Sequence, residues 1–210
     1  MPPAPKDVRP PSPLAKPLFA ITLGLLVVSG IRPFDGPTWW LEIGPMLFLI
    51  PVLVATYRRF PLTSLACVLL SIHAMILMVG GHWTYAKVPV GDWARDTFHL
   101  SRNPYDKLGH FAQGFIPAIL LRELLLRTSP LRPGGWLFSL TAGFCLGISA
   151  VYELIEWLAA VSFGSGAEAF LGTQGDEWDT QSDMLFALIG AIVAQVVLRR
   201  LHDRQLATRT

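Results

Sequence analysis

Apolar residues fall along this chain in six runs, separated by breaks rich in polar residues, glycine or proline. The runs predict membrane-crossing helices at about 17–31, 39–57, 62–80, 108–126, 136–163 and 179–198. The first is short; the others lie near the ~20 residues needed to span a hydrocarbon core. Pro45 and Pro51 fall inside the second run and predict a kink, which membrane helices tolerate. The polar stretch from Gly81 to Lys107 reads as a long loop, with Trp83, Tyr85, Trp93, Phe98 and Tyr105 packing as a cap or forming an interfacial belt. The fold class that follows is all-α: a polytopic membrane bundle of six transmembrane helices in one domain. Small residues in the last two runs (Gly143, Gly147, Ser149, Gly190, Ala191, Ala194) suit close helix packing.

Composition agrees. Of 210 residues, 52% are hydrophobic and only 15% charged, against about 25% charged in a soluble domain. Net charge is +2, which implies no nucleic-acid partner; the partner implied is membrane lipid. Cys67 and Cys145 each sit in an apolar run and predict no disulfide framework. Residues 1–16, proline-rich and basic, read as a disordered tail, and 199–210 as a basic tail beyond the last helix. A basic start before an apolar run also fits a signal peptide. The weak cleavage site at Val28-Ser29-Gly30 favours an uncleaved first span.

Charge sets the orientation. With both termini in the cytoplasm, twelve of the seventeen Lys and Arg residues fall on the cytoplasmic side. Arg32, Lys87, Arg95, Arg102 and Lys107 fall outside. This predicts an N-in, C-in protein of a bacterial inner membrane.

Ionisable groups inside spans cost roughly 2.5–3.5 kcal/mol on insertion scales and are functional candidates. Asp106 and His110 are four residues apart at the outer start of the fourth span, with Gln113 three residues on. Glu153 and Glu156 share a face in the outer half of the fifth. Asp176, Asp179 and Asp183 bracket the outer start of the sixth and repeat on one face if that helix begins early. The turn containing Gln174 and Gly175 is expected to fold over these ends. Three spans thus deliver one imidazole and several carboxylates to one depth, a candidate pocket of Asp106, His110, Gln113, Glu153, Glu156, Gln174, Asp176, Asp179 and Asp183.

Three chemistries fit. A divalent metal is the candidate cofactor, with His110, Glu153, Asp179 and Asp183 as candidate ligands, and would activate water against a lipid head group. Paired acids would couple proton movement to transport. Or the groups tie helix ends together, as Lys107 does with Asp106 or Asp179. No zinc signature such as H-E-x-x-H is present. Elsewhere, His73 reads as a satisfied interhelical hydrogen bond, His82 as a surface residue or an extra member of the cluster, His99 and His202 as solvent residues, and Arg122 as snorkelling.

Several segments carry a resemblance: Gly80-Gly81-His82-Trp83-Thr84-Tyr85-Ala86, the run from Arg102 to Phe115, Arg122-Glu123, Tyr152-Glu153-Leu154-Ile155-Glu156-Trp157, and Gly172 to Gln181 followed by Asp183-Met184. In these the chain resembles the YjdF-like bacterial inner-membrane proteins, over most of its length after the tail. The resemblance implies an integral inner-membrane protein and brings no substrate or catalytic residue. A weaker similarity is to VanZ-like membrane proteins, through Asp106-Lys107, His110-Phe111, Glu153, and Asp183 before Gly190. Ala187 stands where that pattern has asparagine. The functional expectation is an outward-facing pocket for a lipid or small polar solute, with a metal-dependent hydrolase or a structural, partner-binding subunit as alternatives.

Overall fold

The computed structural model describes residues 10–164 and 168–207. Their elements are helices: α1 (Ala15–Ser29), α2 (Gly36–Thr56), α3 (Ser64–Trp83), α4 (Pro89–Phe98), α5 (Tyr105–Thr128), α6 (Gly135–Phe163), α7 (Glu168–Leu171) and α8 (Asp179–Ala207). Asp35 caps α2, its carboxylate accepting from Thr38 N at 2.8 Å, and Thr63 caps α3, accepting from Ala66 N at 3.2 Å. The six long elements run side by side. α1, α3 and α6 finish at one end, here the upper end, where α2, α5 and α8 begin. α4 and α7 lie in the connections at that end.

Four helices, α2, α3, α6 and α8, are long and apolar enough to cross a membrane. Large apolar side chains point outward all around the bundle, Val27, Val54, Ile72, Trp157 and Val197 among them. A water-soluble protein does not present such a surface, and lipid covers it at no cost. α1 is apolar but has only 15 residues, about 22 Å of helix.

α5 is different. Its 24 residues carry Asp106, Lys107, His110, Arg122, Glu123 and Arg127. No residue between Leu108 and Leu124 is exposed, because α3, α6 and α8 enclose it. Its closest neighbour is α8, at a crossing made by two glycines. A Cβ on Gly114 would overlap the Ala187 carbonyl, and one on Gly190 would overlap the Phe111 carbonyl. The backbones touch, as small residues allow in membrane bundles. Ala112, Ile116, Ile119, Ala191 and Ala194 form the apolar core around that crossing.

The structure departs from the sequence expectations in places. The 81–107 stretch is not all loop: it contains α4, whose Val90, Trp93 and Phe98 face outward. Its aromatics divide, with Trp93 and Phe98 exposed as belt residues suit, while Tyr85 and Tyr105 turn inward, ring centroids 5.6 Å apart. α8 does not stop at Leu198 but continues to Ala207, since its buried face repeats at Ala191, Gln195 and His202. Of the N-terminal tail, residues 1–9 lie outside the described residues. Residues 10–16 are not free: Ser12 is buried, its hydroxyl 2.8 Å from that of Ser64, and the helix begins at Ala15.

His202 is likewise not a solvent residue. It is fully buried at the lower end, and so is Glu123. Arg122 Nη1 donates to His202 Nδ1 at 3.0 Å, so His202 carries its proton on Nε2, which faces Glu123 at 3.3 Å. Glu123 also accepts from Thr63 Oγ1 at 2.7 Å and Arg127 Nη1 at 2.7 Å. Arg122 does not snorkel; its other nitrogen reaches Asp203 at 2.6 Å. The network binds α3, α5 and α8 together because α8 runs about two and a half turns further than its apolar residues suggest.

Candidate functional site

At the upper end α5, α6 and α8 converge on His110, which is buried. Its Nδ1 lies 3.0 Å from Gln113 Oε1, an acceptor, so Nδ1 carries a proton, and in the neutral imidazole Nε2 presents its lone pair. Facing Nε2 are Asp106 Oδ1 at 3.5 Å and Asp183 Oδ2 at 3.8 Å. Glu153 Oε1 lies 3.9 Å from Nδ1. Asp106 Oδ2 and Glu153 Oε1 are buried without a hydrogen-bond partner.

Basic residues hold the start of α8 beside this group. Lys107 Nζ donates to Asp183 Oδ1 at 2.6 Å, to Asp179 Oδ1 at 2.9 Å and to Ser182 Oγ at 2.5 Å. Arg102 reaches Asp179 Oδ1 at 2.6 Å, Asp176 at 3.5 Å and the Thr173 carbonyl at 2.7 Å. Gln174 clasps the backbone of Asn103, accepting from its N–H at 3.0 Å and donating to its carbonyl at 3.1 Å.

Next to His110 lies a cavity of about 440 Å³ between α2, α3, α5 and α6. Among the described residues its ionisable lining is Glu42, His73, Tyr85, Asp106, His110, Tyr152 and Glu156, with no lysine or arginine. Phe48, Leu49, Leu77 and Ile148 supply apolar wall. Tyr152 Oη donates to Glu42 Oε2 at 3.0 Å. Tyr85 sits in the turn after α3, where burial pushes its phenol well above the ordinary value and keeps it neutral. The volume lies within the usual range for small-molecule pockets. A second hollow, about 330 Å³ between α1, α2 and α3, carries no acid and no imidazole.

The family model described as predicted membrane protein (DUF2238) matches residues 15–204. The chain belongs to this family. It is also 52% identical over 188 residues to the inner membrane protein YjdF of Escherichia coli (strain K12), covering 89% of this chain and 90% of that protein. No solved structure matches it. This DUF2238 protein is a multi-pass protein of the bacterial inner membrane.

Of the residues singled out by sequence, this DUF2238 chain brings Asp106, His110, Gln113, Glu153, Glu156 and Asp183 together. Asp179 stands one turn above, held by Lys107 and Arg102. Gln174 and Asp176 do not reach His110. α8 begins at Asp179, so Asp176 is not on its face, and both residues serve the turn above the cluster. His82 stays apart as well, its Nδ1 2.8 Å from the Ser29 carbonyl. His73 is not satisfied: its Nε2 is buried without a partner on the cavity wall.

Glu42, Tyr152 and Tyr85 were missed. Glu42 is an acid inside an apolar span, the same signal that marked Glu153. Tyr85 had no signal in one dimension. Its ring occupies a slot between two glycines, since a Cβ at Gly80 would overlap it and one at Gly109 would come within 2.7 Å. Gly109→Ala is expected to displace the ring and destabilise the protein by about 1–3 kcal/mol. A lowered thermal midpoint in detergent, partly restored in Gly109→Ala/Tyr85→Ala, is the check, because the two changes share one contact.

Proposed function

We propose that this protein crosses the inner membrane six times with both termini in the cytoplasm, and that the cavity beside His110 binds a lipid whose head group carries an amine. The membrane domain is residues 17–198, with the basic segments 1–16 and 199–210 on the cytoplasmic side. α1 and α5 then cross with the four long apolar helices. Basic residues collected at the lower end, Arg122, Arg127, Arg199, Arg200 and Arg204, support this orientation.

The observation that carries the ligand reading is the sign of the lining. Glu42, Asp106 and Glu156 face one cavity without a lysine or arginine. A ligand that brings hydrogen-bond donors and positive charge suits this lining, where three carboxylates stand beside two imidazoles and two phenols and, among the described residues, no lysine or arginine answers them. The apolar part of the wall suits the glycerol and upper acyl region of a lipid. His73 Nε2, deeper in the same cavity, offers one further polar contact.

Native mass spectrometry of detergent-purified protein with phosphatidylethanolamine and phosphatidylglycerol tests this. The amine lipid is expected to be retained preferentially, and Glu42→Gln to weaken its binding about tenfold, equivalent to about 1.4 kcal/mol. Equal retention of the two lipids, or a Glu42→Gln protein that binds as wild type does, overturns it.

A further inference from the structure

We propose that His110, Asp106 and Asp183 hold one divalent cation of the zinc or manganese kind. The ligands come from α5 and α8; Asp106 and His110 also border the cavity while Asp183 does not, and the argument for the metal does not rest on the lipid reading.

The first argument is electrostatic. With the imidazole neutral, His110 Nε2 presents a lone pair toward two carboxylate oxygens at 3.5 and 3.8 Å. Three acceptors facing one another in a buried space repel, unless a cation lies among them. Lys107 does not fill that role: its ammonium sits on the opposite oxygen of Asp183, Oδ1. Around the imidazole, Asp106, Asp183 and Glu153 stand against one lysine. Glu156 adds a further acid on the same side, and a divalent ion offsets much of this negative excess.

The second is distance. Zinc binds nitrogen and oxygen at about 2.0–2.2 Å, so two ligand atoms on a tetrahedral ion lie roughly 3.4 Å apart. The Nε2 to oxygen separations are close to that edge and longer than good hydrogen bonds. One ligand atom from each of Asp106, His110 and Asp183 falls within a single 4.8 Å group. Three protein ligands leave the fourth position open.

The third is an orphaned group. Asp106 is 8% exposed, and its Oδ2 is buried without any donor. A buried carboxylate oxygen left unpaired costs more than a hydrogen bond returns, and a cation held by the same carboxylate, whose Oδ1 faces Nε2, offsets that cost. The surroundings match what metal sites need beyond their ligands. Gln113 fixes the ring and its tautomer from Nδ1, and Lys107 orients Asp183 from its other oxygen. The imidazole and carboxylates together suit zinc and manganese rather than soft copper.

Full-length protein in detergent, stripped with a chelator, is titrated with manganese(II) and followed by the loss of the free-ion electron paramagnetic resonance signal. Zinc(II) competition is run alongside. One saturable site per chain is expected. Asp183→Asn and the isosteric Asp106→Asn are expected to weaken it by about 100-fold or more, and Gln113→Ala by about 10–100-fold. Asp106→Asn removes no hydrogen bond from Oδ2, so it serves if Asp183→Asn fails to fold by freeing Lys107. Glu42→Gln is expected to leave manganese affinity unchanged while weakening the amine lipid, so the two sites fail separately. No saturable binding, or wild-type affinity in Asp106→Asn, overturns the metal site and leaves a proton as the only cation at His110.

Discussion

Glu123→Ala is expected to destabilise the bundle by about 3–5 kcal/mol, the largest loss among single substitutions to the charged residues. Glu123 is fully buried and is the acid on which Thr63, Arg127 and His202 converge. Removing one member of a buried ion cluster is worse than never having had it, since the partners remain desolvated. Arg127 keeps its bond to the Pro61 carbonyl and its place over the Phe60 ring, 3.5 Å from the centroid. His202, by contrast, keeps only Arg122, and its Nε2 proton loses its acceptor. Thr63 keeps its cap on α3. Chemical unfolding in mixed micelles measures the loss. Glu123→Gln should lose less, because the amide oxygen still accepts from Thr63. Equal losses would locate the effect in shape rather than charge.

The second large effect is expected at the α5–α8 crossing. Gly114→Val and Gly190→Val each push a branched side chain into the backbone of the facing helix. Overpacking commonly costs about 1–3 kcal/mol when side chains can shift; here the obstacles are the Ala187 and Phe111 carbonyls, which cannot. A loss of about 3 kcal/mol or more is expected for each. The affected contact also sets the spacing of Asp106 and His110 against Asp183, one to two turns above. Either substitution should therefore weaken manganese binding without touching a ligand. Gly143→Ala, where a Cβ meets open space, is the neutral control. A Gly114→Val protein as stable as that control would mean the helices do not approach so closely.

Most of the architecture was legible because lipid imposes a length and a polarity on whatever it touches. The spans at 39–57 and 136–163 match α2 and α6 within about three residues at each end. The convergence of Asp106, His110, Glu153, Glu156 and Asp183 was readable from helix periodicity plus alternating direction. What escaped were facts about which side of a helix faces which neighbour. His202 stands among Arg199, Arg200, Asp203 and Arg204, and composition there suggests water. Only its seven-residue offset from Gln195 marks it as continuing the buried face. Asp176 was placed on the last helix by offset, yet the chain turns at Gly175, where φ is +85°, before α8 begins. The slot for Tyr85 depends on glycines from two separate helices, a coincidence that no local pattern records.

The enclosure of α5 bears on how the protein is made. Hydropathy does not drive this helix into lipid by itself; it carries two acids, an ammonium, an imidazole and two guanidinium groups. Its polar groups are matched chiefly by α8, through Lys107 with Asp179 and Asp183 below the upper end, and Arg122 and Glu123 with His202 and Asp203 at the other. α8 leaves the ribosome after α5 and α6. Until it arrives Lys107 and Arg122 lack the acids that answer them, so the chain must delay commitment at its own centre, and a chain cut short within α8 before His202 should strand a half-inserted protein for membrane proteases to remove.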